Sequence, residues 1–210
     1  MTAIQSSYAP KIVVATGNRK KGVEMQTILA DSGLEVCTLA DFPHVDFDVE
    51  ETGCTYAENS ELKAVAAVSL TGMVSIADDA GLEIDALGGQ PGVYSKRFLG
   101  EHTSFPEKMH RILHLLKDTP IEDRKCRFVC AVVIATPDGK KILCNGVCEG
   151  IVGWEIKGEY GFGYDPIFYL PELGKYMAEL PPEKKHLISH RGKALTKAKV
   201  ALAELFGLKD

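Results

Sequence analysis

The chain has 210 residues, 45% hydrophobic and 25% charged, a composition that excludes disordered, collagen-like and coiled-coil classes. A chain of this length buries about 70% of its unfolded surface and needs no disulfide or metal staple. Its 24 Lys and Arg against 29 Asp and Glu leave a net charge of −5, so no global basic field exists to hold a nucleic-acid polymer. Any polyanion it binds is small and is met by local positive charge.

Residues 1–9 carry neither a basic nor an apolar targeting region, and no stretch approaches the roughly 18 apolar residues of a membrane span. The expectation is a cytoplasmic protein without a membrane segment, with residues 1–10 a loose tail and residues 11–210 one domain. A short apolar run at 11–15 reads as a strand, followed by the Gly17-Asn18 turn. Helical spacing runs from Val23 through Met25, Ile28 and Leu29 until Gly33 stops it. Residues 34–39 read as a second strand and 55–70, rich in Ala, Glu, Lys and Leu, as a longer helix. A buried strand at 73–77 is expected to end on Asp78-Asp79. A helix at 105–117 precedes two strands, 126–136 and 140–149, joined by the turn Pro137-Asp138-Gly139 into an antiparallel hairpin. A Gly-rich loop spans 158–166, and a helix closes the chain at 189–206. The sum is a mixed α/β fold with helices on the flanks of a sheet. The six cysteines include two C-x3-C pairs, Cys126 with Cys130 and Cys144 with Cys148, whose spacing is not that of a zinc ribbon. They are expected to be buried free thiols.

Charges in unusual places point to chemistry. Thr16-Gly17-Asn18-Arg19-Lys20-Lys21 puts three cations in the first turn of a helix whose N-terminus is already positive. Either the run is a solvated basic face, or a bound anion resolves the conflict on free backbone N–H groups. It is not a Walker A loop, because Val23-Glu24 stand where Lys-Ser/Thr is required. The same conflict recurs at Ser189-His190-Arg191-Gly192-Lys193. Two carboxylate groups, Glu50-Glu51 and Asp78-Asp79, call for a cation, and Mg²⁺ suits one or two carboxylates completed by phosphate and water. Otherwise Asp78-Asp79 caps a turn. Alternation along a strand sends Asp78 and Asp79 to opposite faces, so one serves the site and the other supports it. Asn59 and Lys63 share one helix face. Gly161-Phe162-Gly163-Tyr164-Asp165-Pro166 can stack a base or simply cover the core.

Six strings in order carry a resemblance: A-T-G-N-R-K-K from Ala15, E-E-T-G-C-T-Y-x-E-N from Glu50 with Lys63-Ala64, I-A-D-D-A-G-L from Ile76, L-G-G-x-P-G-V-Y-S from Leu87, G-F-G-Y-D-P-I-F from Gly161, and S-H-R-G-x-A-L from Ser189. Together they make the chain resemble, from Lys11 to about Phe206, the inosine triphosphatase family of non-canonical purine nucleoside triphosphate pyrophosphatases, XTP/dITP diphosphatases, nearest its bacterial branch. The resemblance implies a two-lobed elongated α/β fold around a central cleft, and a homodimer. It implies hydrolysis of ITP, dITP and XTP between the α and β phosphates, clearing such nucleotides from the pool. By position it assigns Thr16, Gly17, Asn18, Arg19, Lys20 and Lys21 to the triphosphate, and Lys63 to the triphosphate and, with Asp79, to catalysis. Glu51 and Asp79 fall to Mg²⁺, with Asp79 also the candidate base, and Phe162, Gly163, Tyr164, Asp165, Lys185, His190 and Arg191 to the purine. Ala80, also assigned to substrate binding, stands where that branch commonly has Ser, so a hydroxyl contact is lost there while its backbone N–H can still serve. Two other readings stay open: a pyrophosphatase for modified pyrimidine or canonical nucleotides, and a regulatory module that binds a triphosphate without cleaving it.

Overall fold

A computed structural model describes residues 9–44 and 46–208; residues 1–8 of the expected tail lie outside the described residues. The described residues form a seven-stranded sheet in the order β2-β1-β3-β4-β5-β6-β7. The strands are β1 (Lys11–Val14), β2 (Glu35–Thr38), β3 (Ser75–Ile84), β4 (Lys125–Ala135), β5 (Lys141–Val152), β6 (Phe168–Leu170) and β7 (Lys175–Tyr176). The helices are α1 (Arg19–Leu29), α2 (Tyr56–Thr71), α3 (Phe105–Leu115), α4 (Pro182–Ile188) and α5 (His190–Phe206). Strand β1 pairs parallel with β2 and β3, whereas β3 through β7 pair antiparallel. The expected mixed α/β class is therefore observed.

Caps fix the helix ends. Asn18 Oδ1 accepts the Lys20 and Lys21 N–H groups, so α1 starts at Arg19, four residues before the apolar spacing becomes helical. A Thr55–Glu58 capping box opens α2 and Gly72, at φ 66°, closes it; a Ser104–Glu107 box opens α3.

Helix α2 lies on one face of the sheet, its Ala64 and Ala67 against Ala15, Ala77, Val133 and Ala135. Helices α1 and α5 cover the other face, where Met25, Leu29, Leu195 and Leu202 pack on Ile12, Ile76, Cys130 and Val132. A separate core gathers Leu82, Ile84, Ile112, Phe128, Cys148 and Phe168 under α3. Strands β3 and β4 contribute side chains to all three clusters and so join them. Cys126, Cys130, Cys144 and Cys148 are buried and free, as expected; Cys37 is half-buried and Cys54 exposed. No helix among the described residues is long and apolar enough to cross a membrane.

Candidate active site

The site follows from unequal strand lengths. Strand β1 pairs with β3 only up to Val14 opposite Ile76, while β3 continues to Ile84 along β4. Beyond Ile76, the edge of β3 on that side faces the space past the carboxyl end of β1, which is where open α/β sheets place ligands. The expectation that Asp78-Asp79 ends the strand is corrected: the doublet sits mid-strand, opposite Val132 and Ala131, because residues 80–84 keep pairing with β4. It also falls between Ile76 in one core and Leu82 in another.

Alternation separates the two carboxylates as expected. Asp78, fully buried, turns toward α1 and α5. Its Oδ2 accepts from Arg191 Nε at 3.1 Å and Nη2 at 2.8 Å, and Lys21 Nζ lies 3.2 Å away. Burial pushes this carboxyl up, but Arg191, Lys21 and Lys63 outweigh it and hold Asp78 well below the usual carboxylate range. Asp79 turns toward α2. Its Oδ2 accepts from Asn59 Nδ2 at 3.2 Å and its Oδ1 lies 3.6 Å from Lys63 Nζ. Here burial wins over Lys63 and Lys21, with Glu51 and Asp78 adding repulsion, and Asp79 is raised above the ordinary aspartate value.

Lys63 Nζ also donates to Glu51 Oε1 at 2.7 Å, so one buried ammonium lies between the two carboxylates assigned to the metal. Burial lowers the Lys63 pKa, but Asp79, Asp78 and Glu51 raise it further and keep it charged. Glu51 is lowered, Lys63 outweighing its burial. Asn59 ties the two sides together, since its Oδ1 accepts Gly53 N at 2.8 Å.

The helix starts need a correction. The backbone N–H groups of Lys20 and Lys21, expected to be free for an anion, are taken by Asn18, whose own N–H goes to Thr16 Oγ1 at 3.2 Å. Lys21 finds its anion inside the protein, in Asp78, and Arg191 at the start of α5 finds Asp78 and Glu24 (Nη1 to Oε2, 2.7 Å). Arg19 and Lys20 are exposed. A side chain at Gly17 would meet nothing within 4 Å, so this turn borders open space. Ala80 is half-buried on the Asp78 face, packed against the core there.

Lys185 donates to Asp165 Oδ2 at 2.7 Å and to Glu24 Oε1 at 2.9 Å, and both Lys185 and Arg191 lie by the Phe162 ring, 4.8 and 5.5 Å from its centroid. Asp165 Oδ2 also accepts Phe162 N at 2.8 Å. A Cβ at Gly161, which has φ +73°, would come within 2.1 Å of that oxygen, so only glycine permits the loop to close over the carboxylate. Gly163 is half-buried with φ +67°. Tyr164 departs from its assignment to the purine: it belongs to the core under α3, with its ring edge-on to Phe105 and its hydroxyl donating to Ser95 O at 2.9 Å. His190 is buried and stacked on Phe128; burial, then Arg191 and Lys185, lower its pKa well below the usual value, leaving a neutral ring.

Sequence reasoning missed Glu24 as the anion shared by Lys185 and Arg191. Its place three residues after Lys21, on the same face of α1, is the signal that could have found it.

Comparison with known proteins identifies the family. The model of the Ham1 family matches residues 12–201. The chain is 47% identical over 196 residues to a dITP/XTP pyrophosphatase of Desulforamulus reducens, covering 93% of this chain and 97% of that one. It is 47% identical over 197 residues to the dITP/XTP pyrophosphatase of Geobacillus kaustophilus, with 94% and 96% covered. Among solved structures, a HAM1 protein from Coxiella burnetii superposes with a TM-score of 0.83 at 38% identity, covering 93% and 99% of the two chains. The Staphylococcus aureus Ham1 protein gives 0.82 at 40% identity, with the same coverage. With a family model spanning nearly the whole chain, and relatives of this identity over nearly their full length, the chain belongs to the Ham1 family.

Proposed function

We propose that this protein hydrolyses non-canonical purine nucleoside triphosphates, ITP, dITP and XTP, to the nucleoside monophosphate and pyrophosphate, and that residues 11–210 act as one catalytic domain. The carrying observation is the split of the β3 doublet: Asp78 is locked to Arg191 and Lys21, while Asp79, with raised proton affinity, stands beside Lys63 and Glu51. The names of the relatives, dITP/XTP pyrophosphatases, support the substrate class.

In this reading Asp79 takes the proton of a water as its oxygen attacks the α phosphorus. The bond from that phosphorus to the α–β bridging oxygen breaks, and pyrophosphate leaves with the electron pair. Lys21 and Lys63 neutralise phosphate charge, and the Thr16–Lys21 turn with exposed Arg19 and Lys20 borders the phosphates. Glu51 and Asp79 would hold Mg²⁺. They are hard oxygen donors from two elements, already sharing one cation in Lys63, and Mg²⁺ needs only one or two carboxylates besides phosphate and water. When bound, the ion supplies further neutralisation of the phosphate oxygens.

For the base, Phe162 offers a stacking surface, and hydrogen-bond donors remain on Lys185 and Arg191 after their internal pairs are counted. A 6-oxo purine accepts from them, whereas adenine presents a 6-amino donor, and unpaired buried polar groups cost about 1–3 kcal/mol each. Exclusion of GTP depends on leaving its 2-amino group without a partner. Homodimer formation and a cytoplasmic location belong to the same proposal; sedimentation of the purified chain tests the first.

The experiment is pyrophosphate release from a panel of nucleoside triphosphates with Mg²⁺ and with EDTA. Expected are release only with the metal and kcat/KM for ITP and XTP at least about 10²-fold above ATP and GTP. Equal values for ATP and ITP contradict the substrate assignment, and binding without pyrophosphate release turns the protein into a regulatory module.

A further inference from the structure

Glu51, assigned above to the metal, sits in residues 46–55, which carry no regular secondary structure before α2 starts at Tyr56. Such a stretch does not by itself hold a carboxylate in register with a carboxylate on a strand. Asn59 holds the stretch at Gly53 N, two residues on, but the group that holds the carbonyl of Glu51 itself is Arg97, just past L-G-G-x-P-G-V-Y-S, a string to which the reaction gives no task.

Arg97 Nη1 and Nη2 each donate to the Glu51 carbonyl at 3.3 Å. The segment carrying Arg97 is itself anchored on several sides. Ser95 Oγ accepts Leu82 N at 2.9 Å and donates to Gly92 O at 2.7 Å, tying the segment to β3 three residues past Asp79. Tyr164 Oη holds Ser95 O, and the buried Lys108 on α3 holds Lys96 O. A Cβ at Gly81 would come within 2.3 Å of Gly92 O, so β3 and this segment meet backbone to backbone. The Arg97 guanidinium, 5.5 Å from the Tyr94 ring centroid, is thus presented from a fixed base.

We propose that Arg97 is a positioning residue for Glu51: by clamping its carbonyl, it registers the Glu51 carboxylate against Asp79 across Lys63. The inference rests on the metal role given to Glu51 under the proposed function. Arg97 does not touch substrate or metal; it acts through the Glu51 backbone.

The test uses the full chain and Mn²⁺ alone as probe, its binding followed by electron paramagnetic resonance without nucleotide. Arg97→Gln is expected to weaken Mn²⁺ binding about tenfold and to raise the Mg²⁺ concentration for half-maximal pyrophosphate release in parallel. The value of kcat at saturating Mg²⁺ is expected to stay within about threefold of the unaltered chain, and Arg97→Lys to recover part of the affinity. In a Glu51→Gln background, Arg97→Gln should add nothing further, the signature of action through one group. Unchanged Mn²⁺ binding in folded Arg97→Gln overturns the proposal, as does an equal loss with and without the Glu51 carboxylate. If Arg97→Gln does not fold, Arg97→Lys decides by the same isotherm. The isotherm requires no turnover, so an unaltered chain that binds Mn²⁺ but releases no pyrophosphate from ITP refutes the activity while leaving Arg97 to be judged.

Discussion

Asp78 and Asp79 are adjacent, chemically identical and both buried, yet their proton affinities diverge because the strand aims them at different helices. Asp78 meets a guanidinium and an ammonium at 2.8 and 3.2 Å; Asp79 meets one ammonium at 3.6 Å while Glu51 and Asp78 oppose its ionisation. Removing one partner of a buried ion pair costs about 3–5 kcal/mol, since the other charge is left uncompensated. Asp78→Asn is therefore expected to lose stability of that order at pH 7, measured by chemical denaturation. The folded pKa of Asp78 lies below its unfolded value of about 3.9, so its contribution is complete above that pH and fades as pH falls through it toward the folded value. The gap between Asp78→Asn and the unaltered chain should narrow below about pH 4; a gap that ignores pH contradicts the ion-pair account. The period of two along a strand was enough to read that the doublet splits. Which carboxylate serves which task was not legible, because Arg191 lies 113 residues away in sequence and only the packing of α5 brings it to β3.

Helices α1 and α5 begin with cations against the preference of the helix dipole, and side chains of the protein answer part of each conflict, while Arg19 and Lys20 stay exposed. Asn18 and Ser189 cap the backbone, and Asp78 and Glu24 neutralise Lys21 and Arg191. The anomaly in the sequence marked the right places, and two readings of it stood open, a solvated face or a bound anion; neither included the internal carboxylates Asp78 and Glu24, because the partners of Lys21 and Arg191 arrive from other elements. Elements with strong local signals, α2, the β4–β5 hairpin and α5, were legible to within a few residues. Strands β6 and β7, of three and two residues, are too short for a periodic pattern, and the seven-residue α4 opens on Pro181-Pro182, which reads as loop. The loop at 161–166 divides its aromatics: Phe162 lies by the cations and Tyr164 is in the core. Tyr164→Phe is expected to cost about 1–3 kcal/mol by leaving the buried Ser95 carbonyl without its donor, with the ITP-to-ATP preference unchanged. A large change in that preference, with stability intact, would return Tyr164 to the base site.

At the scale of the whole molecule, the long strands β3 and β4 thread all three hydrophobic clusters, and the polar doublet occupies the stretch of β3 between Ile76 and Leu82, where β1 has already ended. Charge is laid out along that line: Glu51, Lys63 and Asp79 on the α2 side, Asp78, Lys21, Arg191, Glu24, Lys185 and Asp165 on the other. The central claim is that the α2 side performs the proton transfer while the other side organises cations and base. The turnover of Asp79→Asn, an isosteric change that keeps the Asn59 contact within reach, tests it most directly. Pyrophosphate release from ITP at saturating Mg²⁺ should fall by about 10²- to 10⁴-fold in a protein whose thermal unfolding matches the unaltered chain. Near-unaltered turnover by that folded variant would contradict the claim and move the base away from Asp79.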